Sequence, residues 1–153
     1  MKISELVGEE LIIEELRAGS KQEVLEEFSG LLYERGKVED REGLTKILAA
    51  RESLGSTGIG DGVAIPHGKI RGLKGLVMAF GRSTRGIEYD SLDGQPARLF
   101  FLLLAPEDAP GEHLKALARI SRLMKNGHFR DSLLKAPGAK EMRRLISLEE
   151  DGR

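Results

Sequence analysis

The chain has 153 residues, with 24 basic and 25 acidic side chains, a formal net charge of -1 and no cysteine. That balance removes any chain-wide preference for nucleic acid or acidic lipid, and the missing thiols exclude disulfides, thiolate metal sites and cysteine nucleophiles. The length suits one domain, burying ~70% of the surface its unfolded form exposes.

In chain order, Ile3, Leu6 and Val7 predict a helical turn, and Leu11 to Ile13 a short strand ending near Leu16. Ser20 to Glu23 fits a capping box, and Val24, Leu25, Phe28, Leu31 and Leu32 follow at helical spacing. This helix should run from about Lys21 to Arg35, with Gly36 as its stop. Asp40 caps a second helix carrying Leu44, Ile47 and Leu48, which ends near Glu52 to Leu54 and leaves Arg51 in its last turn.

Glycine then recurs at 55, 58, 60 and 62, ahead of an apolar run at Val63, Ala64 and Ile65 that stops at Pro66-His67-Gly68. The order reads as loop, strand, then a histidine held at the strand's end, because proline cannot donate to a ladder. A nucleotide P-loop is excluded, since the position that should hold its first glycine is Val63 and Lys69 precedes Ile70. The dinucleotide fingerprint fails as well, because these glycines precede a strand rather than a helix.

Leu76 to Phe80, between Gly75 and Gly81, predicts another strand, and Gly86 to Tyr89 a short edge strand before the turn at Asp93-Gly94. Leu99 to Leu104 is apolar without alternation, the mark of a central strand covered on both faces. Extended to Ala105, this longest apolar run falls far short of the ~20 residues a membrane helix requires, which points to a cytoplasmic protein with no membrane insertion. After Pro106, a helix begins at Asp108 or Ala109 with His113 near its start and Leu114, Leu117, Ile120, Leu123 and Met124 as its stripe. Two short helices close the chain, and residues 149–153 read as a frayed acidic tail after a single domain over residues 1–148. The expected architecture is an α/β three-layer sandwich, a mixed sheet of about five strands with helices on both faces.

If His67, Arg51 and His113 converge, they combine an imidazole nucleophile, a guanidinium that can fork onto phosphate oxygens and a second imidazole. Amides from Thr57 to Gly62 would add an anion-binding nest, with Ser56, Thr57, Gly58, Gly60 and Gly62 as its support. Phosphoryl transfer suits this set, because it asks mainly for positioning and positive charge around the equatorial oxygens. An imidazole is a competent nucleophile when neutral, provided its other nitrogen donates to a fixed acceptor such as a loop carbonyl or the hydroxyl of Ser56 or Thr57. Two alternatives stand beside this: an anion-sensing module that is never phosphorylated, and a metal site of His67, His113 and Asp61 or Glu112, which Arg51 would oppose.

Arg51-Glu52, the run from Gly55 through Pro66-His67-Gly68-Lys69, and Leu102 to Pro106 followed by His113-Leu114 together resemble a known family. It is the enzyme IIA components of the fructose, mannitol and nitrogen type in the bacterial phosphoenolpyruvate-dependent phosphotransferase system. The resemblance covers roughly Ile3 to Ile146 and implies a mixed sheet flanked by helices, with no cofactor and no metal. It implies that His67 accepts a phosphoryl group from an HPr-like phosphohistidine carrier, with Arg51 and His113 flanking it. The downstream partner would be an enzyme IIB or a set of regulatory target proteins. A single IIA unit whose Arg51 to Lys69 stretch looks most like the nitrogen type favours the regulator over the sugar-transport component.

Overall fold

The computed structural model describes residues 2–152. It begins with helix α1 (Ile3–Leu6), a 3-10 turn (Glu9–Leu11) and strand β1 (Ile12–Ile13). Helices α2 (Lys21–Glu34) and α3 (Arg41–Ser53) follow, then the short strands β2 (Gly58–Gly60), β3 (Val63–Ala64) and β4 (His67–Ile70). Two long strands, β5 (Val77–Ile87) and β6 (Ala97–Pro106), precede α4 (Pro110–Leu123), α5 (Gly127–Lys135) and α6 (Ala139–Asp151).

Side-chain oxygens start both α2 and α3 where the sequence places them: Ser20 accepts from the Glu23 amide and Asp40 from the Gly43 amide. Each satisfies an amide that the first helical turn leaves without a partner. β6 is the centre of the sheet, antiparallel to β5 along one edge and parallel along the other to β3 and then β4 in succession. β1 extends the sheet beyond β5 and β2 beyond β3, giving a mixed sheet of six strands among the described residues.

Alternation along β6 feeds two cores. Leu99, Phe101 and Leu103 point to the face covered by α1, α4, α5 and α6, with Ile3, Val7, Ile120, Phe129, Met142 and Ile146. Phe100, Leu102 and Leu104 point to the other face, with Val24, Leu25, Phe28 and Leu32 of α2 and Leu44 and Leu48 of α3. Both faces are dry, which is why the segment carries no polar residue. The α/β sandwich expected from the sequence is therefore present, with six strands where about five were expected.

Three expectations are corrected. The strand through Leu76 to Phe80 does not stop at Gly81, and of the separate edge strand expected at Gly86 to Tyr89 only Gly86 and Ile87 are strand, as the end of β5, whose register against β6 shifts between Arg82 and Ile87. Gly81 is there for close approach: a Cβ would lie 2.9 Å from Cζ of Phe28 and 3.3 Å from Cγ of Leu16. Gly81→Ala should cost about 1–3 kcal/mol by overpacking, read as a lower denaturant midpoint at unchanged slope. The acidic tail is helical through Asp151, and Glu150 accepts from the Ile3 and Ser4 amides at 2.6 and 2.9 Å. A carboxylate at the start of α1 satisfies free amides there, so the acidic run is pinned where fraying was expected.

Third, the glycine loop is in part a hairpin. β2 and β3 pair antiparallel with Gly60 opposite Val63, joined by Asp61 at φ 57° and Gly62 at φ 77°. Positive φ at both central residues is the requirement of the tight turns that match strand twist, and an aspartate-glycine pair meets it.

Candidate functional site

Pro66 interrupts the edge of the sheet between β3 and β4, so His67 opens β4 instead of terminating the strand before it. In register with Leu103, its side chain lies on the face covered by α4. The next residue, Gly68, turns towards α3, where a Cβ would lie only 3.0 Å from Cγ2 of Ile47. The bare backbone at Gly68 lets α3 settle onto β4, and Arg51, one turn beyond Ile47, reaches the edge of the sheet.

The result is a direct contact: Arg51 Nε donates to His67 Nε2 at 3.3 Å, while Arg51 Nη1 donates to the Gly55 carbonyl at 2.8 Å. The other ring nitrogen, Nδ1, lies 2.7 Å from the carbonyl oxygen of Ile65. A carbonyl can only accept and a guanidinium can only donate, so the proton is on Nδ1 and the lone pair on Nε2. Of the acceptors considered from sequence, a loop carbonyl is the one used.

His113 comes from the first turn of α4, and its ring centroid lies 5.2 Å from that of His67 at an interplanar angle of 67°. It is 7% exposed, and its Nε2 is buried without a hydrogen-bond partner. Burial is the main force holding both imidazoles below their usual pKa. The Arg51 charge adds to this at His67, against the Ile65 carbonyl and the Glu52 carboxylate, which favour the cation. At His113 the same direction is reinforced by His67, Lys69 and Arg51.

His67, Arg51 and His113 are thus brought together, but the loop is used differently from expectation. Thr57 is 4% exposed, its amide donates to Glu52 Oε1 at 3.1 Å, and its hydroxyl donates to Glu52 Oε2. Ser56 Oγ donates to the Tyr89 carbonyl at 2.7 Å and accepts from the Gly58 amide at 3.0 Å. The Asp61 amide is taken by Asp93. Neither hydroxyl is free, and the amides of Thr57, Gly58 and Asp61 are already taken by Glu52, Ser56 and Asp93, so these three are not offered to an anion. Gly58 is needed for packing, since a Cβ there would collide with Ser91, while Gly60 and Gly62 serve the hairpin.

Sequence reasoning missed Glu52 and Tyr89. One signal for Glu52 was available: a carboxylate in the last turn of a helix opposes the macrodipole, and at 8% exposure it needs strong partners. No three His, Asp or Glu side chains gather closely enough to hold a metal ion among the described residues, so the alternative cage of His67, His113 and a carboxylate is not assembled. Among the same residues no helix is long and apolar enough to cross a membrane. His67 lies on an open edge; a groove of about 570 Å³ at the other end of α3, lined by Asp40, Ile47, Ile70 and Val77, contains none of the three site residues.

A mixed sheet that presents a neutral imidazole on its open edge, between a guanidinium and a second imidazole, defines a histidine-centred domain suited to handling anions. The chain belongs to the family described as "Phosphoenolpyruvate-dependent sugar phosphotransferase system, EIIA 2", which matches residues 5–148. Membership makes it a IIA component of a phosphoryl-transfer relay. It is 40% identical over 148 residues to a nitrogen regulatory protein of Bradyrhizobium diazoefficiens, covering 97% of this chain and 96% of that one. It is 43% identical over 136 residues to the fructose-specific EIIABC component of Bacillus subtilis; the match takes in 89% of this chain and 21% of that longer protein. Among solved structures, the nitrogen regulatory protein IIA-Ntr of Neisseria meningitidis superposes with a TM-score of 0.88 at 39% identity, covering 94% of this chain and 98% of that one.

Proposed function

We propose that His67 is a transient phosphoacceptor and that the chain is a nitrogen-type regulator, charged by an HPr-like phosphohistidine carrier in the cytoplasm. The observation that carries this reading is the pair of contacts on the His67 ring, Nδ1–H held by the Ile65 carbonyl and Nε2 met by the Arg51 guanidinium. The Nε2 lone pair attacks phosphorus, the bond from phosphorus to the donor's ring nitrogen breaks, and that nitrogen keeps the bonding electrons. No proton has to move. Arg51 turns its donors from Nε2 to the phosphoryl oxygens, and His113 Nε2 gains the partner it lacks.

The open edge suits a group delivered by another protein. Leu54, 84% exposed after the Arg51 turn, and Leu114, 68% exposed beside His113, offer apolar contact to such a partner. The regulator reading draws support from nitrogen regulatory relatives matched over nearly their whole length. A second reading, a sugar-type component handing the phosphoryl group to an enzyme IIB, draws support from the fructose-specific relative. The deciding experiment offers the phosphorylated chain to purified fructose- and mannitol-type IIB proteins. Retention of the label with all of them supports the regulator, and rapid discharge to one of them supports the transport component.

The pH profile follows from the protonation state. The neutral ring is the nucleophile, and burial first of all holds its pKa below the ordinary ~6.5. The single-turnover labelling rate from about pH 5 to 8 should therefore be flat at the upper end and fall only below ~6.5. Both imidazoles bind protons more weakly folded than unfolded. Their contribution to stability is thus complete above ~6.5 and lost as pH falls through the lowered folded values, which thermal melts in the same buffers check.

A further inference from the structure

The last turn of α3 holds a carboxylate that the transfer chemistry above does not use. Glu52 is 8% exposed and every side of its carboxylate is occupied: Oε1 accepts from the Thr57 amide at 3.1 Å and faces Lys21 Nζ at 3.0 Å. Oε2 accepts from the hydroxyls of Thr57 and of Tyr89, the latter at 3.1 Å. Tyr89 is itself fully buried against Phe100, with Lys21 over its ring, so the carboxylate is tied to the core of the α2 and α3 face.

These contacts lead to the His67 ring. Thr57, held at its amide and hydroxyl by Glu52, accepts the Ile65 amide on its carbonyl at 3.0 Å. The Ile65 carbonyl in turn holds His67 Nδ1–H at 2.7 Å. Arg51, the residue before Glu52, reaches the other nitrogen, Nε2. Two consecutive residues of α3 therefore govern the two ring nitrogens, one by direct contact and the other through the loop. We propose, resting on the phosphoacceptor reading of His67, that Glu52 is a positioning residue for the transfer, holding the Thr57–Ile65 segment so that His67 stays protonated at Nδ1 and nucleophilic at Nε2.

The chemistry gives the carboxylate a second use. A ring that keeps its Nδ1 proton while Nε2 bonds to phosphorus carries a positive charge. The Ile65 carbonyl and the Glu52 carboxylate both favour that cation, whereas Arg51 of α3 and His113 of α4, when charged, oppose it. Lys21 of α2 pairs with the carboxylate at 3.0 Å, while the ring nitrogens of His67 are met by Arg51 and the Ile65 carbonyl. Loss of the anion should therefore slow the chemical step while carrier binding, which uses the exposed surface, is unchanged.

The test compares wild type, Glu52→Gln and the double variant Lys21→Met with Glu52→Gln. The double variant removes the stranded Lys21 charge and so separates positioning from the cost of an unpaired ammonium. Nitrogen-detected NMR of the unphosphorylated proteins should give one Nδ1–H tautomer for His67 in wild type. Both variants should give a mixture of tautomers with a lower His67 titration midpoint. Single-turnover labelling from a purified phosphorylated HPr-type carrier should slow by roughly 10²-fold at saturating carrier in both variants, with the half-saturating carrier concentration unchanged. A labelled wild type beside variants of unchanged tautomer and rate overturns the role of Glu52 alone. A wild type that takes no label from any carrier overturns the phosphoacceptor reading, and this proposal with it.

Discussion

His67→Ala is expected to take up no phosphoryl group when incubated with phosphoenolpyruvate, enzyme I and an HPr-like carrier, whereas wild type gains one acid-labile adduct by intact mass. The variant removes the ring nitrogen whose lone pair is met by the Arg51 guanidinium. His113 cannot replace it, because its ring is buried in the first turn of α4. The fold should survive, since His67 is only half-buried at the start of an edge strand and its backbone pairing with β6 does not use the ring. A melting temperature within a few degrees of wild type would match the ~2–4 °C per kcal/mol expected at this size. Label persisting in the variant would move the nucleophile elsewhere, and peptide mapping would say where.

Arg51→Ala should slow labelling by about 10²–10³-fold while leaving the adduct on His67. The guanidinium is already aimed at Nε2, anchored at its other end on the Gly55 carbonyl, so it meets the incoming phosphoryl oxygens with little reorganisation. Arg51→Lys should recover only part of the rate, because an ammonium cannot hold both the Gly55 carbonyl and a phosphoryl oxygen in a planar fork. The same change has a second readout. Arg51 lowers the His67 pKa, so its loss should raise the titration midpoint even as the rate falls. That combination separates lost stabilisation of the transferred group from a weaker nucleophile. An unchanged rate would make Arg51 a helix-end charge only.

Much of the fold was legible because local signals and tertiary packing agree. Ser20 and Asp40 cap the helices they precede, and the unbroken apolar run at Leu99 to Leu104 is the strand with a core on each face. The misreadings share one cause. Gly81, Gly58, Gly60 and Gly62 all look like loop residues by composition, but one admits the Phe28 ring, one admits Ser91, and the others turn a hairpin. Glycine marks that a side chain is excluded without saying which neighbour excludes it. The acidic run at Glu149 to Asp151 looked like a frayed end for a similar reason, since the free amides of α1 that Glu150 serves lie 146 and 147 residues away in the chain.

For the site, chemical identity and three-dimensional arrangement divide cleanly. Residue type and order along the chain already marked His67, Arg51 and His113, because proline, glycine and helix-end signals are local and a nucleophile beside a guanidinium is a chemical statement. The tautomer of His67, the burial of His113 and the occupation of Ser56 and Thr57 by Tyr89 and Glu52 were settled only when β4, α3 and α4 packed together. Each of those depends on which atoms the packing brings against which. The Ile65 carbonyl and the Glu52 carboxylate lie only two and five residues from the groups they hold, while the Tyr89 carbonyl lies 33 residues from Ser56. In each case whether the atoms meet depends on how the segments fold against one another, which residue pattern alone does not encode.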